Sequence, residues 1–240
     1  MNKGSFALIG SKSATDMKQL AGKKIGIGRV GDPPYHMAVS LLRKHGYTAR
    51  DVQWVSVGVD AATRAAALQS GQIDAALITA PAYFRLQAAG LPVLATLMDY
   101  DDIYVSTYYL FRRDALTKER PTAIAFIKAH AEAIKRFYDD RAFATETMIK
   151  YGGTRNIDDA NRVYELFRKA RVLEPIPFAL KGSVDAVVER RGQELKGVDF
   201  SKMIDNSLVD QLVKEKYFET VFGPPIRDEQ LRKQAQAFGK

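Results

Sequence analysis

Between Leu20 and Leu97 two hydrophobic rhythms alternate. Short apolar runs at 23–27, 52–57, 75–79 and 93–97 read as strands, the second β-branched and carrying the single Trp. Segments 34–45, 61–70 and 81–89 between them read as helices. Gly46, Gly71 and Gly90 stand just past those helices, where a left-handed residue closes the last turn, and Asp60 stands where a side chain caps the second. Strands alternating with helices of about a dozen residues or fewer predict βαβ units and a mostly parallel sheet.

The rhythm then changes. Residues 103–111, IYVSTYYLF, read as a long aromatic strand. From Lys118 onward the pattern is helical: Pro121 suits a first turn, and Ile124, Ile127, Ala131 and Ile134 follow at helical spacing. Segments 157–170 and 207–217 repeat the pattern, and their aromatics read as core. Gly152-Gly153 and the stretch 174–177 read as turns. The tail, 226–240, reads as a solvated helix or a frayed end. No internal repeat or low-complexity tract is visible.

Composition narrows the chemistry. The 240 residues are 46% hydrophobic, enough for a sizeable core, and suggest one large domain or two lobes. No apolar run reaches the roughly 18 residues of a membrane span. The start of the chain is a poor signal peptide, so either the protein is cytosolic or a leader lies outside this chain. Zero Cys excludes disulfides, thiolate metal sites and a Cys nucleophile, without choosing a compartment. The net charge of +8 is scattered rather than striped, which favours a mildly basic surface over a nucleic-acid face.

Gly26-Ile-Gly28-Arg-Val-Gly31 matches the G-x-G-x-x-G of dinucleotide sites. The context fails. Gly26 lies inside the strand, Pro33 delays the helix, and Asp51 precedes the second strand where an acidic residue should end it. A glycine-rich turn before a helix still offers N–H groups to an anion. Asp32 opens a second reading, in which it caps its own helix and leaves no vacancy. Spacing does not separate the two.

Enzymatic constellations are thin. Of His36, His45 and His130, only His36 is near a candidate site, and none has a metal-ligand spacing partner. Asp99, Asp101 and Asp102 read as a solvated turn rather than a cation site. Neither a G-x-S-x-G elbow nor a P-loop is present.

Several stretches resemble one family as an ordered set. They are the segment 17–27 (MKQLAGKKIGI), Leu41-Leu-Arg-Lys-His-Gly-Tyr followed by Asp51-Val, Ala65-Ala-Ala-Leu-Gln-Ser-Gly-Gln-Ile-Asp-Ala-Ala, Ala88-Ala-Gly-Leu-Pro-Val, and Met203-Ile-Asp-Asn-Ser-Leu-Val. Together they resemble the SsuA/THI5-like, or NMT1-like, substrate-binding proteins of ABC importers, from about Thr15 to Gly223. The resemblance implies an α/β, type II periplasmic-binding-protein-like fold: two α/β lobes with a central cleft, joined by crossing strands, the first lobe incomplete in this chain. In that picture 1–16 is the crossing segment and incomplete first lobe, and 17–102 the second lobe. Residues 103–225 are the crossing strand and the helical part completing the first lobe, and 226–240 the basic tail. An incomplete first-lobe sheet would expose a strand edge that homo-oligomerisation would relieve.

The implied function is solute binding by lobe closure for an ABC importer of small organic solutes of the sulfonate, nitrate or pyrimidine type. The implied partners are that solute and the membrane permease, with no nucleic acid, no cofactor, no metal and no catalytic set. The implied location is periplasmic, or cytoplasmic if Met1 is the true start. The alternative is a cytoplasmic ligand sensor or a pyrimidine-pathway enzyme on the same fold. Carried over residue by residue, the ligand contacts are Gly31, Asp32, Tyr35 and His36 at the first helix start, Thr79 and Tyr83 at the third, and Ser106 and Thr107 on the crossing strand; a second reading has Thr79 end its strand and Tyr83 pack in the core. Where the family commonly has small hydroxyl residues, this chain has Asp32-Pro33-Pro34. A carboxylate and two imino acids argue against a simple oxyanion. They suit a ligand with a cationic or hydrogen-bond-donating group, or an aromatic one stacking on Tyr35.

Overall fold

The computed structural model describes residues 5–99 and 107–239. They divide into two compact units, 5–99 with 153–166, and 107–152 with 167–239.

The first unit is built on one sheet. Its strands are β1 (Phe6–Gly10), β2 (Lys24–Ile27), β3 (Gln53–Ser56), β4 (Ala75–Thr79) and β5 (Val93–Thr96), in the order β3-β2-β4-β1-β5. The helices α1 (Pro33–Lys44), α2 (Ala61–Gln69) and α3 (Ala82–Ala88) alternate with the last four strands. Strand and helix positions follow the expected alternation to within a residue or two. The sheet itself is mixed rather than mostly parallel. β2 runs parallel to β3 and β4, whereas β1 pairs antiparallel with β4, Leu8 opposite Leu77, and with β5. β1 is too short and too close to Gly10 to stand out as a strand in the sequence. Its Ala7, Leu8 and Ile9 are fully buried, as a central strand covered on both faces requires. Because β1 lies outside the βαβ series, nothing obliges it to run with the other strands.

Asp74 braces the edge where the parallel strands begin. Its Oδ1 accepts from the Ser13 hydroxyl at 2.6 Å and its Oδ2 from the Lys24 amide at 2.9 Å. The loop after β1 is thereby tied to the start of β2.

The second unit is helical among its described residues. It comprises α4 (Ala115–Lys118), α5 (Arg120–Asp139), α6 (Arg141–Tyr151), the end of α7 (Ile157–Ala170), α8 (Lys181–Arg191), α9 (Ser207–Lys214), α10 (Tyr217–Phe222) and α11 (Ile226–Ala235). Ile124, Ile127 and Ala131 of α5 pack with Leu208 and Leu212 of α9, with Phe218, and with Ile176 and Phe178. The helix expected over 207–217 breaks at Lys216, whose φ of +55° is left-handed, and a new helix starts at Tyr217. Among these described residues the one bridge of β type joins Leu180 to Ala237.

Two further expectations need correction. Residues 107–111 are irregular, and 103–106 lie outside the described residues. Tyr108 and Leu110 are 68% and 84% exposed, while the rings of Tyr109 and Phe111 pack edge-on against Phe126. Strand-like composition needs a neighbouring strand to satisfy its amides, and these residues pair with none. The tail is neither solvated throughout nor frayed. Ile226, Gln230 and Ala237 are buried, and Lys233 donates to Glu174 at 2.6 Å and to the Ile176 carbonyl at 3.0 Å. Lys233 thus ties the tail to the preceding loop, and Arg227 pairs with Glu219 of α10 at 3.3 Å.

Candidate functional site

Where neighbouring parallel strands feed helices over opposite directions of a sheet, a crevice opens beyond their carboxyl ends, and ligands collect there. This sheet has such a point between β2 and β4. From β2 the chain passes through α1 to β3 on one side, then through α2 to β4 on the other. The β2–β4 ladder runs through Ile25–Ala75 and Gly26–Ala76, while β2 continues with β3 as far as Ile27–Ser56. Three loops gather at this edge: 28–32, 57–60 and 80–81.

The first loop is closed on itself. Asp32 is buried and caps α1: its Oδ1 accepts from the Tyr35 amide at 2.8 Å and its Oδ2 from the Arg29 amide at 3.1 Å. The Asp32 amide donates to the Arg29 carbonyl at 3.2 Å, and the His36 amide to the Asp32 carbonyl at 3.1 Å. Pro33 and Pro34 have no N–H to offer. The first turn of α1 therefore keeps no amide for an anion, and of the two readings of Asp32 the cap is the one found. Gly31 permits this turn with a φ of +88°. Gly28 permits it by absence, since a Cβ there would lie 2.4 Å from Asp32 Oδ2 and 3.1 Å from Val59 Cγ1. Gly26, the first glycine of the apparent fingerprint, lies inside β2, where a Cβ would strike the Ile73 side chain.

Tyr35 is half-buried. Its ring meets the Trp54 ring edge-on at 4.6 Å and the His36 ring at 5.2 Å. Trp54 is held in turn by its indole N–H, which donates to the Ala49 carbonyl at 2.8 Å. Thr79 ends β4 half-buried, opposite Phe6 of β1. Tyr83 is 6% exposed and packs edge-on against Phe84 at 4.5 Å, so it belongs to the core of α3. Burial pushes its phenol up to about 12, against the lowering influence of Arg162 and with that of Asp99. Arg162 stacks over the Phe84 ring at 4.1 Å and donates to Gln87 at 3.0 Å, clasping residues 153–166 onto α3.

The structure thus brings Gly31, Asp32, Tyr35, His36 and Thr79 to one sheet edge, with Tyr83 buried behind it. Thr107 is exposed in the other unit, and Ser106 lies outside the described residues. One residue was missed. Arg64 of α2 is 2% exposed. Its Nε donates to the Leu77 carbonyl at 3.1 Å, and its Nη1 to the carbonyls of Gly58 at 3.1 Å and Val59 at 2.8 Å. Burial pulls its pKa down, while Asp32 and Asp60 hold it up. The signal was present: Arg64 shares the buried face of α2 with Ala67 and Leu68, and a cation at such a position needs a reason. Among the described residues no group of three or more His, Asp or Glu side chains is placed to hold a metal ion.

No match was found among curated protein sequences. Solved structures share the fold. The periplasmic sulfonate-binding protein SsuA assigned to a sulfonate ABC transporter of Methylobacillus flagellatus KT superposes with a TM-score of 0.65 at 20% identity, over 90% of this chain and 68% of that one. The ligand-binding component of an ABC-type import system from Staphylococcus aureus, with zinc bound, gives 0.66 at 14%, over 87% and 71%. The desulfurization enzyme DSZB gives 0.55 at 18%, over 89% and 77%. At such identities the likeness concerns the fold, a periplasmic-binding-protein fold that mainly solute-binding proteins share here. The model of the NMT1/THI5-like family matches residues 2–142, more than half of the chain. The chain belongs to the NMT1/THI5-like family.

Proposed function

We propose that this protein is the solute-binding component of an ABC importer, working in the periplasm and delivering a small organic solute to a membrane permease. Closure of lobes on the solute is part of the proposal. The observation that carries it is the switch point between β2 and β4, edged by Gly31, Tyr35, His36 and Thr79, in a chain of this family. Within the sulfonate, nitrate and pyrimidine classes, the self-capped start of α1 favours the last. A sulfonate or nitrate would meet the Asp32 carboxylate and no vacant α1 amide, whereas an aminopyrimidine offers N–H donors and a ring that can lie against Tyr35.

Trp54, the single tryptophan, touches Tyr35 and reports on this edge. Titration with 4-amino-2-methylpyrimidine, methanesulfonate and nitrate should change its fluorescence with the pyrimidine alone. Saturable binding of methanesulfonate or nitrate in preference would refute the choice of class. An enzymatic role has one observation in its favour, the fold shared with DSZB. Recovery of the bound pyrimidine chemically unchanged after prolonged incubation would decide against it.

A further inference from the structure

A fully buried arginine is an unusual way to fill space, because burying its charge costs more than burying a methionine of similar reach. Arg64 sits where the sheet opens. Beyond the Gly26–Ala76 pair, β4 has no ladder partner in β2, and the next carbonyl on β4, that of Leu77, accepts from Arg64 Nε. The same guanidinium binds the carbonyls of Gly58 and Val59 through Nη1. Val59 in turn backs Gly28, whose missing Cβ lets it approach the loop that Asp32 closes. One planar fork therefore joins the end of β4, the loop after β3 and, through Val59, the loop after β2. The carboxylates of Asp32 and Asp60 lie close enough to stabilise its charge.

We propose that Arg64 is the positioning residue of the solute edge, setting the spacing of these three loops without itself touching the solute. The inference rests on the solute-binding reading of that edge. Lysine keeps the charge but cannot reach three carbonyls with a planar fork, and methionine keeps the bulk but donates nothing. Arg64→Lys and Arg64→Met should both speed hydrogen exchange in the 28–32 and 57–60 segments by tenfold or more, while the centres of β1 and β4 stay protected. Both should weaken 4-amino-2-methylpyrimidine binding at least tenfold, read by Trp54 fluorescence well below the melting temperature. Leu20→Ala serves as the control, because Leu20 is fully buried and precedes β2 at the opposite edge of the sheet. It should lower stability without changing exchange in those two loops or the affinity.

If Arg64→Met matches the wild type in loop exchange, the guanidinium is only filling space and the proposal is overturned. Faster exchange spread evenly through the loops and the centres of β1 and β4 would overturn it equally. If the wild type binds none of the pyrimidine, methanesulfonate or nitrate, the solute-binding reading fails instead, and the exchange measurement alone decides what Arg64 does.

Discussion

Asp32→Ala tests whether the start of α1 is held by its own cap. The carboxylate makes two bonds to backbone amides, one to Tyr35 at 2.8 Å and one to Arg29 at 3.1 Å. Losing an N-cap costs about 1 kcal/mol, within a range of roughly 0.5–2. Leaving the Arg29 amide without its acceptor costs about 1 kcal/mol more, and removing an anion near the buried Arg64 adds to both. The expected loss is about 2–4 kcal/mol. In urea this lowers the midpoint by roughly 1–2 M for a unit of this size. Trp54 lies in the sheet unit, so its fluorescence follows unfolding there. Asp32→Ser keeps a capping oxygen and should recover about half of the loss. An unfolding free energy for Asp32→Ala within about 0.5 kcal/mol of wild type would mean the carboxylate is not holding the turn. The argument against an anionic solute would then fall with it.

Other consequences are testable in the same way. Gly28→Ala places a Cβ 2.4 Å from Asp32 Oδ2, and should cost about 1–3 kcal/mol by urea titration and weaken pyrimidine binding. The Tyr83 phenol loses its proton near 12 when folded and near 10 when unfolded. Between those values the unfolded state holds fewer protons, so stability of the sheet unit should fall as pH rises, by up to about 2–3 kcal/mol, and Tyr83→Phe should remove that part of the slope. Asn206→Ala deletes bonds to the Ala179 amide and to the carbonyls of Ala179 and Phe238, and should destabilise the helical unit by about 2–4 kcal/mol in circular-dichroism melts.

The family was legible because its motifs are structural ties, and such ties depend on residue type. Asp74 of the S-G-Q-I-D-A stretch joins Ser13 to Lys24, and Asn206 of D-N-S-L-V joins the loop before α8 to the end of the chain. Helix boundaries were legible for the same local reason, with Asp32 and Asp60 capping α1 and α2. What escaped notice depends on contacts distant in sequence. The place and direction of β1 follow from pairing with β4 and β5 some 70 and 85 residues away, which no local rhythm encodes. The 107–111 segment has a strand's composition, yet among the described residues no strand pairs with it.

The same division runs through the candidate site. Asp32 was found from spacing, but its role as cap or as ligand group depended on where two amides pointed, and both point at it. Arg64 was passed over because its spacing with Ala67 and Leu68 marks a buried position but not what the guanidinium binds there. Its three acceptors are carbonyls, which any residue type supplies, so its partners leave no mark in the sequence. Glycine marks the result indirectly. Gly28 has room only for a hydrogen because Val59 and Asp32 converge on it, and Val59 is held there by Arg64. A glycine at that position and an arginine on the buried face of α2 are therefore one feature seen from two places. If they are, substitutions at the two sites should couple: Gly28→Ala should cost less in an Arg64→Met background, where the loop after β3 is released, and strict additivity would separate them.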